Sequence, residues 1–152
     1  MKKLSLVILV WIVFITNSSS QSQEKLLYVL GTSGAGIVYN TFQYLDLLHE
    51  GLVVECNSAE MVANAAAAQV GFLEVVEKSY LELKDSEDLS DPSDQLYIQR
   101  LAELITLLKE QAIHLNSIST NGDEESKDAY AKTKEAAWVR ISDLLQLDSQ
   151  KP

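Results

Sequence analysis

The chain has 152 residues, 47% of them hydrophobic and 22% charged, with six Gly, two Pro, one Cys and a formal net charge of −10. That length suits one domain able to bury a real core, and the composition argues against intrinsic disorder and against a disulfide-built scaffold. The acidic balance argues against nucleic acid as a partner, because neutralising phosphates takes clustered Lys and Arg.

Lys2 and Lys3 precede an unbroken apolar run from Leu4 to Ile15, which gives way to Thr16-Asn17-Ser18-Ser19-Ser20-Gln21. A basic start, a short apolar stretch and small residues at Ser18 and Ser20 predict a cleavable secretory signal over residues 1–20. The alternative is an uncleaved anchor, but a spanning helix needs roughly 20 apolar residues and the run is shorter. No Cys follows it to carry a lipid, and no later apolar run is long enough to predict a stable membrane span. Cleavage leaves a domain over 21–152 with 10 basic and 22 acidic residues, a net charge of −12. The expected location is the periplasm or the extracellular space. Residues 21–152 contain no Asn-x-Ser/Thr sequon, which favours a bacterial setting. Cys56 has no partner for an internal disulfide there. It is expected to be a small buried residue, with pairing between chains or a ligand role as alternatives.

Four amphipathic segments follow. Over 24–50, Leu27, Gly31, Gly34, Val38, Thr41, Leu45 and Leu48 alternate spacings of four and three, one stripe of a helix, and Gly51 is a plausible stop. Asn57-Ser58-Ala59-Glu60 resembles a capping box ahead of a helix over 58–84, whose expected stripe is Val62, Ala65, Phe72, Val76 and Leu83. An acidic loop, Asp85 to Asp94, contains the next restart. Asp91 is the expected N-cap, with Pro92 in the first helical position and Asp94 in the first turn. The third helix, 92–118, carries Tyr97, Leu101, Leu104, Leu108, Leu115 and Ile118, with Ile98, Ile105 and Ala112 beside them. Ser119-Thr120-Asn121-Gly122 breaks it. The fourth, 123–147, aligns Tyr130, Ala137 and Leu144, with Trp138, Ile141 and Leu145 alongside. Helices of this length on short loops predict an all-α, antiparallel up-down-up-down four-helix bundle.

In that topology His49, Cys56, His114 and Asp123 fall near one pole. Those residue types could complete a tetrahedral zinc site, although their spacings fit no compact motif. A histidine near a helix C-terminus also has a simpler role, as a cation facing the dipole. Gly31, Gly34 and Gly36 have G-x-x-G-x-G spacing, which is neither the dinucleotide fingerprint nor the Lys-ending phosphate loop. Together with Ala65, Ala66 and Ala68 they instead thin two helices, allowing close packing or a pocket. C-x-x-C-H is absent, and Glu110 and His114 are four apart rather than three, so neither covalent haem nor a di-iron site is expected. Cys56 with His49 lacks a third orienting group and an oxyanion hole. No catalytic residue and no cofactor is therefore assigned. The acidic loop fails the EF-hand pattern and reads as a solvated cap. Thr41, Gln69 and Gln111 border apolar stripes, as register-setting or edge residues. The functional expectation is an exported, non-enzymatic bundle acting on a protein partner or on itself as a homo-oligomer, with six Tyr offering contact area. The alternative is a small-ligand or metal-binding bundle using the pole near His49, Cys56 and His114.

Overall fold

The computed structural model describes residues 2–86, 89, 91–122 and 124–147; ahead of residue 27, Lys25 is the one side chain described. Among the described residues there are four helices and no strand: α1 (Lys2–Val53), α2 (Ala59–Lys84), α3 (Pro92–Asn121) and α4 (Glu124–Leu145). The chain divides into two compact units, 1–33 and 34–152. In the first, Thr32 Oγ1 donates to the Tyr28 carbonyl at 2.8 Å, a bond within the helix. The side chains of residues 1–20, the expected signal, lie outside the described set. The second unit is the bundle.

Local chemistry explains the helix ends. Ser58 caps α2, its hydroxyl accepting from the Met61 amide at 3.2 Å, so the cap lies one residue beyond the expected Asn57. Asn57 has another role. A Cβ on Gly51 would collide with its side chain, and its backbone N–H donates to the Gly51 carbonyl at 2.9 Å. Gly51 therefore admits a close neighbour instead of stopping α1, which runs three residues past the expected end. The left-handed residue in this turn is Glu55, with φ 60°. Asp91 caps α3 as expected, accepting from the Ser93 amide at 2.7 Å, with Pro92 in the first helical position. α3 continues through the expected break as far as Asn121. Gly122, at φ 67°, then ends it and donates to the Ile118 carbonyl at 2.9 Å.

Contacts between distant residues fix the topology. One core cluster joins Leu45 and Leu48 of α1, Val62 and Ala66 of α2, Ala112, Leu115 and Ile118 of α3, and Tyr130 of α4. The late parts of α1 and α3 thus meet the early parts of α2 and α4. Toward the other pole, a Cβ on Gly34 would lie 2.7 Å from Leu101 Cδ1 and would collide with the Tyr80 hydroxyl. The Phe42 and Trp138 rings stand 5.4 Å apart, and Arg140 bonds Glu103 at 3.1 Å. This is the antiparallel up-down-up-down order.

The core follows the sequence stripes in α1 and α3: Gly34, Val38, Thr41, Leu45 and Leu48 are buried, as are Ile98, Leu101, Leu104, Ile105, Leu108, Ala112, Leu115 and Ile118. In α4, Tyr130, Ala137, Trp138 and Ile141 are buried while Leu144 and Leu145 are half-buried. α2 departs from expectation. Its buried residues are Val62, Ala66, Leu73 and Tyr80, and Phe72 points outward. Val62, Ala66, Leu73 and Tyr80 lie within a narrow arc of a 3.6-residue helix, whereas Phe72 sits about a quarter turn to one side. Small side chains at Gly34 and Ala66 let the helices approach, but Ala67 and Ala68 are exposed, so the Ala run only partly serves internal packing.

Candidate interaction surface

Three of the four residues expected near one pole, His49, Cys56 and His114, are described. Among the described residues no three His, Cys, Asp or Glu side chains are grouped to hold an ion. Asp123 lies outside the described residues. His49 is half-buried with its ring stacked on Tyr130 at 4.5 Å and 21°. Burial, reinforced by the Lys134 ammonium, holds the imidazole below its ordinary pKa against the opposing pull of Asp46 and Glu50. It is thus favoured as a neutral stacking ring rather than as the cation expected at a helix end. His114 is half-buried on α3. Cys56 is an exposed free thiol, in contrast to the expected buried one, because it lies in the turn between α1 and α2.

Polar groups inside the bundle are partly satisfied. The Tyr130 hydroxyl donates to the Leu45 carbonyl at 3.1 Å and accepts from Gln111 Nε2 at 3.2 Å. Burial raises the Tyr130 pKa, with Asp46 and Glu50 adding to the effect, so the phenol stays protonated. Gln111 Oε1, Trp138 Nε1 and Ser142 Oγ are buried with no hydrogen-bond partner. Trp138 and Ser142 line a surface groove of about 480 Å³ along the end of α4, together with Glu135, Val139, Asp143, Gln146 and Leu147. A smaller one of about 190 Å³ between α3 and α4 is occupied by exposed ion pairs, Arg100–Asp143 at 4.0 Å and Arg140–Glu103 at 3.1 Å. Pairs so exposed contribute little net energy.

Several large apolar side chains of α1 and α2 are exposed, and helical phase locates them. Phe42, Asp46 and His49 mark the flank of α1 that faces α4, where they meet Trp138, Lys134 and Tyr130. With 3.6 residues per turn, Tyr44 and Leu47 lie about half a turn away, on the flank bordering α2. Ala63 and Glu77 mark the flank of α2 that faces α3. The Ala63 carbonyl accepts from Asn116, and Glu77 accepts from Thr106 and pairs with Lys109. Met61, Ala68, Phe72 and Val75 lie about half a turn from that flank, toward α1. The two outward rows therefore border the same α1/α2 seam. Leu47 is 63% exposed, Phe72 46% and Val75 67%.

This face is also free of charge. No Asp, Glu, Lys or Arg occurs from Gly34 to Leu45, or from Met61 to Leu73. By length and composition alone, α2 is long and apolar enough to cross a membrane. No unbroken apolar run marks this segment, because Ala, Gly and single polar residues interrupt it without lowering the average far. Sequence reasoning missed the face for a related reason. It assigned Phe72 to the core, although the lack of charge along the outer side of α2 was legible.

Taken together, fold and surface define an all-α four-helix bundle with one uncharged apolar face. No protein-family model matches the chain, and comparisons with curated proteins and with solved structures found no match.

Proposed function

We propose that this is an exported, non-enzymatic bundle that works by protein–protein contact through the α1/α2 face. One observation carries the reading: an exposed, uncharged apolar surface on a chain that is otherwise strongly acidic. Large contiguous apolar patches are uncommon on monomers and mark contact sites, and the exposed Leu47, Phe72 and Val75 support such a patch here. Lys2, Lys3 and the apolar run Leu4–Ile15 support export. A photoreactive side chain placed at Phe72 tests the contact, with the same group at exposed Lys132 as control. The expected result is a protein adduct from position 72 alone, lost when Leu47→Glu is added. Equal adducts from both positions, or none, would refute it. The mass of the exported chain tests the signal: a start near Gln21 is expected, and a retained Met1 counts against it.

The α4 groove favours a second reading, a small-ligand site. Its volume falls within the range of ligand pockets, and two of its lining residues, Trp138 and Ser142, carry buried polar atoms without hydrogen-bond partners. Native mass spectrometry of the exported chain tests this through a retained small mass that disappears in Ser142→Ala/Trp138→Phe.

A further inference from the structure

We draw no further inference here: the strongest candidate, the exposed apolar face where Leu47 of α1 and Phe72 and Val75 of α2 border the α1/α2 seam, belongs to the contact surface already described, and nothing in the structure shows what covers it.

Discussion

Replacing Tyr130 by Phe removes one oxygen from the centre of the bundle and leaves the ring on His49. That oxygen serves two groups, accepting from Gln111 Nε2 at 3.2 Å and donating to the Leu45 carbonyl at 3.1 Å. Gln111 is fully buried and its Oε1 already has no partner. In Tyr130→Phe the whole amide is therefore left without a side-chain hydrogen bond. Stranding a buried polar group costs about 1–3 kcal/mol. With a urea m-value of about 1–3 kcal/mol/M, the midpoint should fall by about 1 M. Gln111→Leu in the same background removes the stranded amide at similar volume, so the double variant should recover most of the loss. Urea unfolding followed by far-ultraviolet circular dichroism, at one fixed protein concentration, measures both. A Tyr130→Phe midpoint equal to the wild type would refute the reasoning. So would a double variant whose loss equals the sum of the single ones.

The glycines separate internal packing from open surface. Gly34→Ala and Gly71→Ala both gain helix propensity, but only the first drives a Cβ into Leu101 and Tyr80. Gly34→Ala should thus be less stable by about 1–3 kcal/mol in thermal or urea unfolding, an overpacking penalty. Ser58→Ala should cost about 1 kcal/mol through loss of the Met61 amide's acceptor, with hydrogen exchange rising first in the opening turn of α2. His49 gives the pH dependence. Its folded pKa lies below the unfolded 6.5, so the unfolded chain binds the proton first and stability drops as pH falls through that value. The urea midpoint should decline from pH 7.5 to 5.5, and should decline less in His49→Phe. Equal declines would count against the buried, neutral imidazole. Glu77 is poised differently. Burial alone would raise its carboxyl, but bonds from Lys109 and Thr106 hold it below 4.5, so its contribution is lost only at more acidic pH.

The all-helical architecture was legible because α1, α3 and α4 each present one dominant apolar stripe, and because Asp91-Pro92 and Gly122 mark helix ends with residues chosen for backbone geometry. Boundaries read from glycine alone were less secure. Gly51 looks like a stop, yet it makes room for Asn57, a contact between positions that no local pattern announces. α2 hid its core because it is apolar on more than one side. Phe72 and Leu73 are adjacent and equally hydrophobic, and only packing against α1 and α3 selects between them. The pole drawn from His49, Cys56 and His114 followed from topology, which sets the level of a residue along the bundle but not its direction. The outer face of α2 was open to detection through its lack of charge over Met61–Leu73, a signal that periodicity in hydrophobicity does not register.

A photoreactive side chain at Phe72, which is 46% exposed on the α1/α2 face, tests the central claim of a contact surface there most directly. The predicted result is a protein adduct from position 72 of the exported chain and none from exposed Lys132 on α4. Equal adducts from both positions, or none from position 72, would contradict it.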